Sequence, residues 1–67
     1  MTEREYLSMF KDEPEVLTVP EVAKMLRIGK NKTYDIVREG RLRTVKVGGK
    51  FLVPKLRVIE FLMEQTS

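Results

Sequence analysis

The sequence predicts an α+β domain built from three principal helices and a two-stranded β-hairpin. Helix caps and apolar residues at helical spacing indicate two short helices between residues 17 and 40. A Gly-Gly pair between two alternating β-forming segments indicates a hairpin over residues 41–53. Apolar residues at helical spacing indicate a last helix over residues 55–65. With 67 residues, the chain suffices for one small domain.

The first helix of the pair begins at a strong cap. The Thr18 hydroxyl can accept from the backbone N–H of Glu21, and the Glu21 carboxylate can accept from the N–H of Thr18, which makes a capping box. Pro20 falls in the first turn, where its missing N–H costs nothing. Leu17 and Val22 occupy the positions of a hydrophobic staple. One face of the helix is apolar at i, i+3, i+4 and i+7: Val19, Val22, Ala23 and Leu26.

The second helix is expected from about Lys30 to Glu39. Gly29 interrupts the first pattern, and Gly40 suits the left-handed conformation that ends many helices. The inward face holds Thr33, Ile36 and Val37. Two short helices joined by a short turn that contains glycine form the helix-turn-helix pattern.

The segment from Arg41 to Val53 predicts the hairpin, with Gly48-Gly49 as a two-residue turn of positive φ. Pro54 ends the second strand and can begin the last helix. The helix has a core stripe of Val58, Phe61 and Leu62.

Residues 1–16 are interpreted as a partly ordered N-terminal extension, and residues 17–65 as the folded domain. Tyr6, Leu7 and Phe10 can form one side of a short helix, whereas residues 11–15 are polar, include a proline and resemble a linker. Terminal residues are usually weakly ordered, which favours a frayed tail or one packed turn over a functional arm.

Charge is distributed unevenly along the chain. The net charge is +3, but residues 1–16 carry −3 and residues 41–58 carry +6 with no acidic residue among them. A basic segment of this kind in a small domain is typical of a polyanion binder. The chain has no His and no Cys, and no nucleophile–base pair or phosphate-binding loop, so no enzyme activity, metal or cofactor is expected. No apolar segment has the length of a membrane span, and the acidic start does not resemble a signal peptide, so a cytoplasmic protein is expected.

The second helix presents the first candidate site. Asparagine can bind adenine, arginine and lysine can bind guanine, aspartate can accept from cytosine, and tyrosine and lysine often contact phosphates. The alternative is an ordinary solvated helix face. Asp35 either contacts a base or pairs with Arg38 or Lys32. The candidate DNA-binding residues here are Lys30, Asn31, Lys32, Tyr34, Asp35 and Arg38.

The hairpin is the second candidate, as a basic ribbon for a minor groove or a phosphate strand. The alternative is a basic solvated edge that discourages aggregation. Its candidate residues are Arg41, Arg43, Lys46, Gly48, Gly49 and Lys50.

A second apolar stripe on the last helix contains Leu56, Ile59 and Met63. It is a possible contact for a protein partner or a neighbouring copy on DNA. The alternative is that Tyr6, Leu7 and Phe10 fold over it.

Most of the chain, roughly residues 17–62, resembles the excisionase-family DNA-binding domain, a small winged helix-turn-helix related to the mercury-regulator type. The shared motifs are Leu17-Thr18-Val19 with Glu21-Val22-Ala23 and Leu26, Tyr34 with Arg38-Glu39-Gly40, Val45 to Phe51 around Gly48-Gly49, and Pro54 with Phe61-Leu62. Two departures are Gly29, where a hydroxyl cap is expected, and Asp35, where the family often has a basic residue.

The resemblance implies a non-catalytic protein that binds double-stranded DNA, with a recognition helix in the major groove and a wing in the minor groove. It implies an architectural factor that bends DNA and assists a tyrosine-type integrase in excising a mobile element, in a bacterial or phage setting. A small transcriptional regulator is the alternative within the fold, and a protein-interaction module is the alternative from another class. A monomer is expected in solution, with an integrase or neighbouring copies as possible partners on DNA. DNA binding requires the second helix and the hairpin tip to project from the same side of the molecule.

Overall fold

The computed structural model of the chain describes residues 2–66 and confirms the α+β winged helix-turn-helix architecture. Residues 2–66 form four helices and a three-stranded antiparallel sheet. In order they are α1 (Glu3–Met9), β1 (Val16–Thr18), α2 (Val19–Leu26), α3 (Lys30–Arg38), β2 (Val45–Val47), β3 (Lys50–Pro54) and α4 (Lys55–Thr66). None of the helices within residues 2–66 is long and apolar enough to cross a lipid bilayer.

The helix-turn-helix begins with the expected capping box. The backbone N–H of Thr18 donates to the Glu21 carboxylate at 2.8 Å, and the N–H of Glu21 donates to the Thr18 hydroxyl at 3.4 Å. Arg27 ends α2 in the left-handed region at φ 60°, a position that the sequence did not mark with glycine. Gly40 follows α3 at φ 75°, as expected.

The sheet has the strand order β1-β3-β2, so β3 is central and β2 forms an edge. β1 was not predicted. It pairs antiparallel with β3, with Leu17 opposite Val53, and both side chains are fully buried. The hairpin is shorter than predicted, because the chain first inserts the buried Leu42 into the core and begins β2 only at Val45.

α1 is a formed helix rather than a frayed tail. The Thr2 hydroxyl and the Glu5 carboxylate make a second capping box, and Tyr6 is buried. α1 packs against α4. The chain that follows α1 is held by Lys55, whose ammonium group donates to the carbonyl oxygen of Glu13 at 3.1 Å. The predicted count of three principal helices therefore becomes four.

One core joins the helices to the inner face of the sheet. Its fully buried centre brings the start of α2, the central strand and α4 together through Leu17, Val22, Val53 and Val58. Burial of these apolar side chains is the main favourable contribution to folding in a domain of this size. Because α3 packs on this core through its inward face, the core fixes how α3 is presented to solvent.

Candidate nucleic-acid interface

A groove of about 390 Å³ separates α3 from the tip of the wing, the β2–β3 hairpin. One wall comes from Tyr34 of α3, and the opposite wall comes from Gly49 and Lys50 of the wing. α3 and the wing tip therefore lie on the same side of the molecule. The start of α2 and a wing aromatic complete the groove, although the sequence had not indicated them as site residues: Thr18, Val19, Pro20 and Phe51.

The outward face of α3 is polar and exposed. At 100° per residue, Asn31, Asp35 and Arg38 share one stripe, opposite the buried Thr33 and Ile36. The stripe projects its side chains into solvent beside the groove. An α-helix with such a face fits the width of the DNA major groove.

Arg38 makes two side-chain contacts with its neighbours on α3. Its Nη1 atom donates to the Oδ1 atom of Asp35 at 2.8 Å. Its guanidinium carbon lies 5.8 Å from the centre of the Tyr34 ring, within cation–π range. Asp35 therefore takes the ion-pair role, one of its two predicted roles.

The two lysines of the first turn of α3 lie on opposite flanks. Lys30 precedes Tyr34 by one turn and shares the flank that faces the wing. Lys32 instead lines a second groove of about 350 Å³, which it shares with Arg41 and residues of α2 and α4. The structure thus separates Lys32 from the wing by the diameter of α3.

The N-terminus of α3 lacks a side-chain cap. Gly29 occupies the cap position and makes no side-chain hydrogen bond, as its missing side chain requires. The Thr33 hydroxyl donates to the Gly29 carbonyl oxygen at 2.9 Å. This hydrogen bond uses a carbonyl acceptor, so it does not satisfy the first backbone N–H groups of the helix. The first turn of α3 contains no acidic residue.

The wing tip is bare backbone. Gly48 and Gly49 have φ values of 54° and 84°, and a Cβ atom at either would meet no atom within 4 Å. Both lysines beside the turn are exposed. Lys46 extends its ammonium group to 5.5 Å from the centre of the Phe51 ring, and Lys50 borders the groove.

Arg41 and Arg43 lie outside the hairpin to which the sequence had assigned them. They belong to the connection between α3 and β2, since β2 begins at Val45. Arg41 turns toward α4, where it lies 5.8 Å from the centre of the Phe61 ring and donates to Gln65 at 3.4 Å. It is on the Lys32 side of α3.

The second apolar stripe of α4 is only partly exposed. Ile59 is fully buried, so it is removed from the possible partner surface. The packing of α1 on α4 accounts for this burial, as one alternative predicted. Leu56 stays 47% exposed, and Met63 is half-buried.

Comparison with known proteins now identifies the family. Residues 16–66 match the family described as "Helix-turn-helix domain". An excisionase of Streptomyces ambofaciens is 44% identical over 52 residues, which cover 78% of this chain and 84% of that protein. The chain belongs to the excisionase family of helix-turn-helix domains. A second member of the excisionase family, a probable excisionase of Saccharopolyspora erythraea, is 35% identical over 46 residues, or 69% of this chain. The match spans only 47% of that relative's length. No solved structure matches the chain.

Proposed function

We propose that this excisionase-family chain binds double-stranded DNA, with α3 in the major groove and the wing in the adjacent minor groove. The observation that carries the proposal is the groove between Tyr34 and Lys50, which puts a polar helix face and a bare basic hairpin on one side of the molecule. A sugar–phosphate strand can lie between the two elements. Phosphate contacts from both sides would then fix the register of α3 on the bases.

Within this arrangement, α3 supplies the base contacts. Asn31 and Arg38 are exposed on the outward face of α3, and their side chains suit adenine and guanine respectively. Lys30 and Tyr34 lie on the flank nearest the wing, where they would contact the phosphates of the strand in the groove. The glycine tip permits a close approach to the minor-groove floor, because no side chain intervenes.

The opposite flank of α3 would contact the other DNA strand. Lys32 and Arg41 border the second groove together, and Lys32 is exposed. A helix seated in the major groove lies between two phosphate ridges, so cations on both flanks are expected to contribute to affinity. Arg41 thereby keeps a role in DNA binding, although it is not part of the wing.

The proposed biological role is excision of a mobile element. The relatives are called excisionases. Contacts in two adjacent grooves can offset the deformation energy of bent DNA, because a bend permits extra contacts. We propose that the chain bends DNA at a recombination site in the bacterial cytoplasm and thereby assists a tyrosine-type integrase. The chain itself would perform no catalysis.

DNA binding is tested by fluorescence anisotropy with a labelled duplex over a series of salt concentrations. The logarithm of the affinity should fall linearly with the logarithm of salt, with a slope of about −0.9 per phosphate contact. K50Q should reduce the slope by about one unit. K11Q is the matched control, because Lys11 lies in the exposed segment after α1 and lines none of the grooves described above. A flat salt dependence would contradict the proposal and favour a protein-interaction module.

The excision role is tested separately. A tyrosine-type integrase is expressed together with the chain and a DNA substrate that carries both of its attachment sites. R38A should abolish excision and DNA bending together. Bending without any stimulation of excision would indicate a regulator of transcription instead.

A further inference from the structure

The three-stranded sheet has a second face that neither α3 nor the core covers. In the antiparallel register, Leu52 lies opposite Val45 and Pro54 lies opposite Val16, so these side chains share one face. Phe51 alternates with Leu52 and points the other way, into the DNA groove. We call the exposed side the outer face, formed by Val16, Thr18, Val45, Val47, Leu52 and Pro54, with Lys50 at its hairpin end.

Most side chains of the outer face are apolar, and much of this face is exposed to solvent. Val16, Val45 and Val47 are 51%, 52% and 55% exposed, and the half-buried Leu52 of the central strand lies between Val45 of β2 and Thr18 of β1. Three adjacent strands spaced about 4.8 Å apart make the face roughly 10 Å wide. Apolar side chains clustered on an open sheet with a free edge promote aggregation, so a contact surface is a better explanation than an ordinary solvated face.

Cations border the outer face. At the Val45 end, Arg43 and Arg57 line a cleft of about 180 Å³ with Thr44 and Pro54. Arg57 shares its charge with Glu60 at 2.8 Å, whereas Arg43 makes no ion pair with any residue from 2 to 66. At the hairpin end, Lys50 lies opposite Val47. An apolar patch with a cationic border is complementary to an acidic segment that carries apolar side chains.

We propose that the outer face docks an acidic segment of a protein partner, with apolar side chains over Val45 and Val47 and a carboxylate in the cleft between Arg43 and Arg57. A carboxylate matches the two-donor geometry of a guanidinium group. A phosphate strand would satisfy the arginines but leave the valines in water, so a protein is the better occupant. The inference rests on the proposed function, because Lys50 borders both the DNA groove and the hairpin end of the outer face, so the partner and DNA would contact adjoining surfaces of the wing.

The first test uses the full chain labelled with ¹⁵N and two capped peptides of alternating residues, one of glutamate and leucine and one of lysine and leucine. The glutamate peptide should shift the amide signals of Val45, Val47 and Leu52 and the side-chain signal of Arg43, whereas the lysine peptide should not. R43E should reverse this preference. Equal shifts with both peptides, or no shift at millimolar concentrations, would overturn the proposal.

The second test separates the outer face from the DNA interface. Threonine keeps the shape and the strand preference of valine, so V45T/V47T should preserve the hairpin. The double variant should lose about tenfold in affinity for the glutamate peptide, and its affinity for duplex DNA should stay within about twofold of wild type. M9Q, a change at an exposed apolar position of α1 that lines none of the grooves described above, is the control and should change neither affinity.

If V45T/V47T loses as much duplex affinity as K50Q, the outer face belongs to the DNA interface and the docking proposal is wrong. If the wild-type chain binds the glutamate peptide but no duplex, the proposed function is wrong and the docking surface stands.

Discussion

Arg38 and Asp35 form an ion pair of 2.8 Å on the outward face of α3, directly where base contacts are proposed. Their side chains are 67% and 56% exposed, so the pair contributes at most about 1 kcal/mol to folding. Its effect is instead on the recognition surface. Asp35 restricts the guanidinium to one orientation beside Tyr34, and it removes one positive charge from the face that would meet the phosphates.

Asp35→Asn should therefore exchange specificity for general affinity. Loss of the carboxylate removes a repulsion of about 1 kcal/mol with DNA, which raises affinity for an unrelated duplex about fivefold at low salt. Arg38 then samples more orientations, so the ratio of specific to nonspecific affinity should fall. Anisotropy titrations with both duplexes measure the ratio.

Glu39→Gln is the control for Asp35→Asn. Glu39 is also an exposed acid of the same region, but it pairs with Arg41 at 3.5 Å and lies beyond the last turn of α3. The control should raise affinity for both duplexes equally and leave their ratio unchanged. An unchanged ratio in the Asp35 variant as well would show that Asp35 has no role in orienting Arg38.

Lys55→Met should loosen the N-terminal segment. The buried ammonium group of Lys55 donates to the carbonyl oxygens of Phe10 and Glu13 at 3.4 and 3.1 Å, and it lies 3.2 Å from the Glu15 carboxylate. Methionine preserves the volume but removes the donor, so the Glu13 carbonyl loses the Lys55 hydrogen bond and the Phe10 carbonyl keeps the one from the Glu13 N–H, which should cost about 1–3 kcal/mol of unfolding free energy. Urea denaturation measures the cost, and hydrogen exchange should report lost protection in α1.

Glu15→Gln separates the hydrogen bonds from the ion pair. The Glu15 side chain is 90% exposed, so loss of its charge should lower the free energy of unfolding by less than about 1 kcal/mol. Equal losses in the two variants would mean that the exposed ion pair, and not the buried carbonyl contacts, holds the segment.

Local signals in the sequence were sufficient for the helix-turn-helix and the hairpin turn. The capping box at Thr18 and Glu21 and the positive φ of Gly48 and Gly49 each depend on residues within four positions of one another. Such features can be derived from cap and turn chemistry alone. Helical periodicity predicted which residues of α3 are exposed, because the apolar residues define the face that is buried.

Features that depend on distant residues were not predicted. β1 exists because Leu17 pairs with Val53, far along the chain, and a three-residue segment shows no alternation long enough to detect. The burial of Ile59 and the order of α1 depend on packing between the two ends of the chain, so the sequence left each as one of two alternatives. The turn of Arg41 toward α4 likewise depends on Phe61 and Gln65. Periodicity cannot report which distant partner a side chain meets.

Acid should weaken both capping boxes. The backbone N–H of Thr18, and secondarily its side chain, hold the pKa of the Glu21 carboxyl below its ordinary value of 4.5, and Thr2 does the same for Glu5. A pKa that is lower in the folded state means that ionisation stabilises folding above pH 4.5, and the contribution is lost as pH falls through the folded-state pKa.

The double variant E5Q/E21Q tests this dependence. Glutamine can still accept from the cap but does not titrate, so the variant should lack the acid-dependent part of the stability loss. In thermal unfolding from pH 7 to pH 3, the melting temperature of the wild type should approach that of the variant as pH decreases below 4.5. If the difference in melting temperature stays constant across this range, the two carboxylates are not the source of the acid-dependent loss of stability.

The same substitution at two glycines should have opposite effects on stability. Gly29 caps α3 at φ −67°, which any residue adopts, and a Cβ atom there meets no atom within 4 Å. Gly29→Ser should therefore supply the missing cap and raise the unfolding free energy by a few tenths of a kcal/mol. Gly49 has equal space but φ 84°, so Gly49→Ser should lower it by about 1 kcal/mol through backbone strain alone. Urea denaturation of both variants measures the two changes. Equal destabilisation by both variants would contradict this prediction. It would show that a serine hydroxyl does not cap α3 and that the native φ does not distinguish the two sites.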